Sequence, residues 1–519
     1  IYSSVNKLKK KEISYQNKDF YYARNFIIDC IKYNKKILIF GDYDVDGYSS
    51  TYLLYDYFSN IKIKCDYFVP DRLMNGYGPN LLLLKKLLSK KKYDLIIFVD
   101  CGSNSHDEIN FLEKSGVKTI IIDHHKIHEV KNYKNTAIIN PLKDSSLKKY
   151  SIFCATTLVY FFIKFLVNNL RISKKINLDK YLFFAGIATI CDQMPLRGLN
   201  KTIVTNGFAN FDKNKSNNLN KLINIKNKLT STDVGFSLGP ILNSASRLGY
   251  SNLPINLLIQ KKNFNIDKIA KKLISLNDKR KKIQHRTISL LKQQNPTNKS
   301  KVIFKYKENI NEGLLGIIAA NFVEQYNRPS FILTNSHNFI KCSSRSVHGY
   351  DIGNIFYLAL KKKIILKGGG HSMAGGCTLK KNKLNEFNKF LNIYYNKQFN
   401  YSESINYYIS EQDIESLLSF AKYDLQKLDP LGNNNTNPIF LIKHNKIINF
   451  KVIKNLHLHL VIKNKRNKSC VSFAFNAFGS KFGDMLMNCK KEIDLIVQIN
   501  NKSIKKNSDF NLIIKDAIV

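Results

Sequence analysis

Ile37-Leu38-Ile39-Phe40-Gly41-Asp42-Tyr43-Asp44-Val45-Asp46-Gly47 places four apolar residues directly before three aspartates at every second position. An unbroken apolar run bounded by glycine predicts a strand buried on both faces, as in a parallel sheet. Alternate residues of an extended chain point the same way, so Asp42, Asp44 and Asp46 are expected to project together from the carboxyl end of a central strand. In open α/β sheets that end is where ligands bind. Carboxylates so close repel one another unless a positive charge sits among them, and a divalent cation is the obvious candidate. The same residues also read as a turn that caps a helix, because Asp-Val-Asp-Gly runs on into Ser49-Ser50-Thr51. The stretch by itself leaves both readings open.

Two more apolar runs end on ionisable groups: Asp94-Leu95-Ile96-Ile97-Phe98-Val99-Asp100, and Lys118-Thr119-Ile120-Ile121-Ile122-Asp123-His124-His125. Residues 61–69 read as another strand, which leads into Pro70-Asp71-Arg72 and the loop Gly76-Tyr77-Gly78. Helices are expected at 20–35, 49–58, 80–90 and 105–115. Strands alternating with helices predict a parallel, doubly wound sheet. Three of its strands would deliver Asp, Asp and Asp-His-His to one edge. Residues 151–190 read as apolar helix ending near Asp192, a carboxylate that alone looks like a helix-end residue. The small-residue segment from Gly239 to Gly249 carries one arginine, Arg247.

Residues 266–294 have Ile269, Leu273, Leu276, Ile283, Ile288 and Leu291 at helical spacing, with Pro296 beyond, and read as an interdomain connector. A second, smaller α/β unit is expected at about 300–395, holding Ser343, Arg345 and Lys367-Gly368-Gly369-Gly370-His371. Gly369, Gly370 and His371 are read as a helix start where backbone N–H groups approach a phosphate, with a hairpin or bulge as the alternative. After one helix at 411–428, five short strands at 439–442, 456–462, 471–475, 493–499 and 510–514 suggest an OB-like barrel. The fold class is therefore α/β followed by β. Its expected domains are 1–262 with an N-terminal extension, the connecting helix 263–298, the second unit 299–398 and the barrel 399–519.

At 519 residues the chain is too long for one core. Lys and Arg outnumber Asp and Glu by 82 to 39, a balance that points first to nucleic acid and second to an anionic membrane. Abundant Lys, Asn, Ile and Tyr with no Trp also mark an AT-rich coding bias, so the sign of the charge says more than its size. The nine cysteines include no Cys-x-x-Cys pair and read as core residues of a reducing compartment. No signal peptide is visible, and a chain beginning with Ile1 is expected to lack a few N-terminal residues. The most apolar stretch, 158–167, is too short to span a bilayer, so no membrane association is expected.

The ordered set Asp42-x-Asp44-x-Asp46-Gly47, Asp100, Asp123-His124-His125 and Asp192 resembles the DHH phosphoesterase superfamily. Pro70-Asp71-Arg72, Gly76-Tyr77-Gly78, Gly313 to Ala320, Ser343-Ser344-Arg345-Ser346, Gly369-Gly370-His371 and Asp429-Pro430-Leu431-Gly432 are similar to its bacterial single-strand-specific 5′→3′ exonuclease group. The resemblance covers almost the whole chain. It implies two divalent ions, Mn²⁺ or Mg²⁺, consistent with a donor set of carboxylates and imidazole without thiolate. Carried over, Asp42 would bind one ion, Asp44, His124 and Asp192 the other, and Asp100 both. Such a pair, ~3.5–4 Å apart, orients a scissile phosphate and stabilises the leaving oxygen. His125 and Asp123 would set orientation, with His125 among the catalytic group, and Asp46 would support the turn. Arg72, Ser343 and Arg345 would cup a 5′-terminal phosphate, while Arg247, His371, Gly369 and Gly370 would meet the backbone near the cut.

Some relatives carry His where this chain has Phe40, which predicts looser binding of the first ion. Ser344 and Ile241 stand where relatives often have Gly and Arg. The resemblance further implies single-stranded DNA as substrate, 5′-mononucleotides as products, and work in recombination and repair in the bacterial cytoplasm. A single-strand-binding protein and a repair helicase are the expected partners, and the chain is expected to be monomeric. Phe473, Phe475 and Phe478 are candidate base-stacking platforms in the barrel, or core residues. Two alternatives stand beside the nuclease: a phosphoesterase of short oligonucleotides, and a nucleic-acid-binding relative without chemistry.

Overall fold

The structure is a computed structural model that describes residues 18–170, 176–209, 218–223, 229–260, 264–294, 300–398, 410–500 and 511–518. It divides into two compact units, Ile1–Met194 with Thr202–Ser402, and Pro195–Lys201 with Glu403–Val519.

In the first unit, β1 (Ile37–Gly41) is buried along its whole length. It pairs in parallel with β2 (Cys65–Phe68) on one side and β3 (Leu95–Val99) on the other. β4 (Lys118–Ile122) and β5 (Thr136–Ile139) continue the sheet, giving the order β2-β1-β3-β4-β5 with every pair parallel. One face of β1 presents Leu38 and Phe40 to Leu83, Leu84, Ile109 and Leu112 of two crossover helices. Burying a side chain such as Phe40 contributes about 1.5–3 kcal/mol. The sheet reverses its winding beside β1, so β1 and β3 flank the crevice at the carboxyl edge.

The first helix after β1 runs Val45–Asn60, starting four residues earlier than expected from Ser49. Gly47 belongs to its first turn rather than to a turn before it. A Cβ there would lie 2.4 Å from the Asp42 carbonyl oxygen, so only glycine lets the helix begin against this loop. The apolar stretch after residue 151 forms two helices, Ala155–Asn169 and Leu178–Cys191. β5 was not anticipated, because four buried residues give no usable periodicity.

The connecting helix Ile266–Gln293 is capped by Asn265, which accepts from Lys268 N at 2.9 Å. Pro296, expected to end it, lies outside the described residues. It packs on the helix Gly239–Arg247, and its Ile288 and Leu291 join a core with Leu314, Leu315 and Ile318. The second sheet holds β6 (Ile303–Tyr306), β7 (Ser330–Ser336), β8 (Phe339–Arg345), β9 (Lys367–His371) and β10 (Ala374–Leu379) in the order β6-β7-β8-β10-β9. Only β6 and β7 are parallel.

Here the reading of Gly369, Gly370 and His371 as a helix start is corrected. They end β9, in a hairpin with β10. Gly370 and Gly375 answer to close packing, whereas a Cβ on Gly369 would meet nothing within 4 Å: one on Gly370 would meet Ala374 O at 2.3 Å, and one on Gly375 would meet Gly369 O and Ile352 at 2.8 Å.

The second unit contains β11 (Ser410–Glu411), β12 (Ile439–Ile453), β13 (His457–Lys463), β14 (Ser469–Ala474), β15 (Ile493–Ile499) and β16 (Asn511–Ile518). β12-β13-β14-β16-β15 closes into a five-stranded barrel because β15 pairs back onto β12. β12 is far longer than the strand expected at 439–442. Register shifts at Ile442/Asn445 and Ile447/Asn449 bend it, so its first part pairs with β15 and its second with β13. The polar Lys443-His444-Asn445 at that bend hides the continuation in the sequence. The helix expected at 411–428 is Ile414–Tyr423 followed by a tight turn, and a further helix, Lys481–Asn488, precedes β15.

Candidate metal centre and phosphate cleft

Asp42 directly follows β1, Asp100 follows β3, and Asp123, His124 and His125 follow β4. The sheet therefore brings them to one edge by register alone. Asp44 is the N-cap of the helix Val45–Asn60, its Oδ1 accepting from Gly47 N at 3.0 Å. It thus caps the helix, as one reading of the opening stretch expects, while a ligand atom of the same side chain lies within 4.8 Å of those of Asp42 and Asp100. Asp192 reaches the same place as the C-cap of Leu178–Cys191. Asp100 has φ 62° and Gln193, beside Asp192, has φ 54°, so two corners of the site are in left-handed backbone that non-glycine residues rarely adopt.

Three overlapping groups have ligand atoms within 4.8 Å of one another: Asp42, Asp44 and Asp100; Asp46, His124 and Asp192; and Asp100, His124 and His125. His124 Nε2 lies 3.3 Å from Asp100 Oδ1 and 3.4 Å from Asp192 Oδ2. Asp42 Oδ1, Asp100 Oδ1, His124 Nε2 and Asp192 Oδ2 are buried without a hydrogen-bond partner. Four such orphans at one point are costly unless a cation satisfies them. Burial, reinforced by the neighbouring carboxylates, pushes Asp42, Asp100 and Asp192 well above the usual carboxyl range. Burial also lowers His124, helped by the charge of His125, which leaves a neutral imidazole suited to ligation. The donor set fits hard divalent cations.

The grouping differs from the expectation in two particulars: Asp46 rather than Asp44 groups with His124 and Asp192, and His125 groups with Asp100 and His124. Yet Asp46 is already engaged at the amino end of the helix Ala155–Asn169. Its Oδ2 accepts from Ala155 N at 2.7 Å, and its Oδ1 accepts from Thr156 N at 2.8 Å and Thr156 Oγ1 at 2.6 Å. That is the geometry of a supporting carboxylate at a helix start. Phe40 is fully buried, with the rings of Phe68 and Phe98 each 5.3 Å away on the adjacent strands. The position thus builds a hydrophobic floor and offers no ligand.

Asp123 organises the adjoining loop. Its Oδ1 accepts from His125 Nδ1 at 2.7 Å and from His124 N at 2.8 Å, while its Oδ2 accepts from Ser103 N at 3.2 Å. Burial would raise Asp123, but His125's charge and hydrogen bond override it and hold the carboxyl below its usual range. Reciprocally, Asp123 overrides the effect of burial on His125 and raises it to about 9. Three further residues brace the site. Tyr77 donates to Asp100 O at 3.0 Å, and Asn140, at the end of β5, donates to Ser103 Oγ and His125 O, both at 2.9 Å. Asn243 accepts from Val45 N at 3.1 Å. Only Tyr77 lay in a recognised motif; the others act across long sequence separations that leave no local signal.

Arginines gather beside the carboxylates. Arg72 lies with its guanidinium carbon 5.1 Å from the centre of the Tyr43 ring. Arg247 donates to Gly313 O at 3.0 Å. Burial, then Arg72, Arg345 and Arg280, lower it to about 9. Arg280, on the connecting helix, is held by Asn277 and Gln284 and was not anticipated. Among the described residues no carboxylate pairs with any of the four. Ser343 Oγ and Arg345 Nη2 border Gly316 at the amino end of the helix Leu315–Tyr326, where an added Cβ would stand 3.1 and 3.3 Å from them. The exposed His371 ring lies parallel to that of His125, centroids 6.2 Å apart. Gly369 and Gly370 bring it there through the β9 strand.

In the barrel unit, Phe473 and Phe475 stack with centroids 6.1 Å apart, flanked edge-on by His459 and His457. Phe475 is 52% exposed and Phe478 39%. No helix among the described residues is long and apolar enough to cross a membrane.

Comparison with known proteins matches residues 36–187 to the DHH family, N-terminal domain, 298–397 to the DHHA1 domain and 413–516 to the RecJ OB domain. The chain is 27% identical to the single-stranded-DNA-specific exonuclease RecJ of Bacillus subtilis over 87% of its own length, but spans only 58% of that protein. It is 24% identical to the Escherichia coli protein of the same name, covering 95% of this chain and 89% of the relative. The crystal structure of Thermus thermophilus RecJ in complex with Mn²⁺ superposes with a TM-score of 0.80 at 21% identity, over 97% of this chain and 72% of that one. The Mg²⁺ complex of the same protein gives 0.72 at 19% identity, over 97% and 70%.

Proposed function

The chain belongs to the DHH family in its RecJ arrangement of DHH, DHHA1 and OB domains, and from that premise we propose that it is a metal-dependent, single-strand-specific 5′→3′ DNA exonuclease. The observation that carries this reading is the adjacency of two sites of opposite charge. Four buried, orphaned ligand atoms lie on Asp42, Asp100, His124 and Asp192; Arg72 and Arg247 lie within electrostatic reach of Asp42 and Asp44 respectively, Arg345 and Arg280 within reach of Arg247, and none of the four arginines has a carboxylate partner among the described residues. A phosphodiester backbone satisfies both, since its oxygens accept from guanidinium groups and bind divalent cations.

Asp42, Asp44, Asp100, His124 and Asp192 are assigned to hold two ions, Mn²⁺ or Mg²⁺, with Asp46 fixing the turn. When bound, such ions supply Lewis-acid charge at the scissile phosphate and an acidified water. The protein's own part is positional. Asp123 keeps His125 cationic, so that it faces developing negative charge. Arg72, Ser343 and Arg345 receive the terminal phosphate, and Arg247 and His371 orient the next backbone segment. A net charge of +43 favours capture of a polyanion, and the Phe473–Phe475 pair offers a stacking surface for unpaired bases. We assign the work to recombination and repair in the bacterial cytoplasm, by a monomer, with a single-strand-binding protein and a helicase as partners; the relatives compared are bacterial proteins.

The test is digestion, with Mn²⁺, of 3′-labelled DNA of several lengths in single-stranded and duplex form. The proposal expects stepwise shortening of long single strands from the 5′ end with mononucleotide products. Activity confined to short oligonucleotides would favour the small-substrate phosphoesterase, and binding without cleavage would favour the inactive relative.

A further inference from the structure

Tyr43 stands between two carboxylates of the candidate centre, Asp42 and Asp44. Its ring is only 8% exposed, and the Arg72 guanidinium lies over it. Among the described residues no hydrogen bond or ion pair holds the Arg72 side chain. Its backbone is tied down, with Arg72 N donating to Ser251 Oγ at 3.3 Å. The ring face is therefore the side chain's support. A guanidinium lying over an aromatic face keeps its donors free at the edge, where they can meet phosphate oxygens in the plane.

We infer that Tyr43 is a positioning residue: its ring fixes Arg72, and with it the terminal phosphate, at a set distance from the carboxylate centre, and so determines which phosphodiester is presented for cleavage. The backbone of Tyr43 has no freedom to drift from that centre, because both of its chain neighbours belong to it. The inference rests on the nuclease reading and adds to it a source for 5′-phosphate selectivity and for product length.

Its test uses two readouts. The first needs no chemistry: fluorescence anisotropy, in EDTA, of 3′-labelled oligonucleotides bearing a 5′-phosphate or a 5′-hydroxyl. The native protein is expected to favour the phosphate. Tyr43→Leu should lose about fivefold to thirtyfold of that preference. Tyr43→Met, which fills a comparable volume without a π face, should lose as much, whereas Tyr43→Phe should keep it. The 5′-hydroxyl affinity should not move in any variant. Arg72→Ala should abolish the preference, and adding Tyr43→Leu to it should change nothing further.

The second readout is cleavage of the 5′-phosphorylated strand, where Tyr43→Leu should raise KM more than it lowers kcat and release dinucleotides beside mononucleotides. Equal losses on both 5′ ends, a Phe variant as damaged as the Leu variant, or additive effects with Arg72→Ala would overturn the inference. A native protein that prefers the phosphate but cleaves nothing would sink the nuclease reading and leave the role of Tyr43 standing.

Discussion

His125 donates from Nδ1 to Oδ1 of Asp123 across 2.7 Å, and this contact is the main influence that opposes burial on both groups. It holds the imidazole cationic to about pH 9, against the effect of burial.

Removing that partner has a signed consequence. A raised histidine pKa means that the imidazolium is present below about 9 and lost as pH rises through that value. In Asp123→Asn the burial effect is opposed only by the charges of Asp192 and Asp42, and the transition moves downward. The alkaline limb of kcat/KM should shift to lower pH, with a loss of about 10–100-fold at neutral pH, the usual cost of deleting such a supporting partner. An unshifted limb would show that His125 does not act as a cation.

Asp42, Asp100 and Asp192 make the opposite kind of prediction. An ordinary carboxyl titrates near pH ~4, whereas these are raised in the folded protein. Between those limits the unfolded chain has released protons that the folded one keeps, so metal-free stability should fall as pH rises across the window. Mn²⁺ supplies the missing charge and should remove the decline. Melting curves in EDTA and in Mn²⁺, from about pH 5 to about pH 8, should show the Mn²⁺ increment in Tm growing with pH. A constant increment would contradict the assignment.

Gly316 leaves room that Ser343 and Arg345 border. Gly316→Val would press on both side chains, starting from a Cβ only 3.1 and 3.3 Å from them. KM for 5′-phosphorylated strands should rise about tenfold, equivalent to about 1.4 kcal/mol, with kcat for 5′-hydroxyl strands nearly unchanged. Steady-state kinetics on the two substrates decide it.

The Phe473–Phe475 stack separates grip from chemistry. Phe475→Ala should weaken binding of long single strands by about fivefold to a hundredfold, from about 1–3 kcal/mol of stacking per base, and leave cleavage of very short strands intact. Leu460→Ala, in the barrel core, should lower Tm instead. Anisotropy against strand length and a melting curve distinguish the two.

Much of the candidate centre was legible because strands that end in carboxylates announce both the sheet and its acidic edge. Asp42, Asp100 and Asp123 needed only the apolar runs before them. Asp192 and Arg247 did not stand out on their own, since helix ends carry such residues routinely; the family pattern supplied them. Asn140, Asn243 and Thr156 escaped notice because each acts through hydrogen bonds across the fold, and asparagine or threonine in a loop or helix start is ordinary. The glycine run misled because tight hairpin packing, as at Gly370, and phosphate approach both demand a missing Cβ. The long bent strand of the barrel was hidden by its own polar bulge.

The central claim is that one buried carboxylate edge performs metal-dependent cleavage from the 5′ end, and Asp100 lies in two of its three ligand groups. The most direct measurement is release of a 5′ label from single-stranded DNA with Mn²⁺, by the native protein and by Asp100→Asn, with melting curves confirming that both are folded. The account predicts rapid 5′ release by the native protein, a fall of at least about a thousandfold in the variant, and none in EDTA. Comparable release by a folded Asp100→Asn variant, or native release that persists in EDTA, would contradict it.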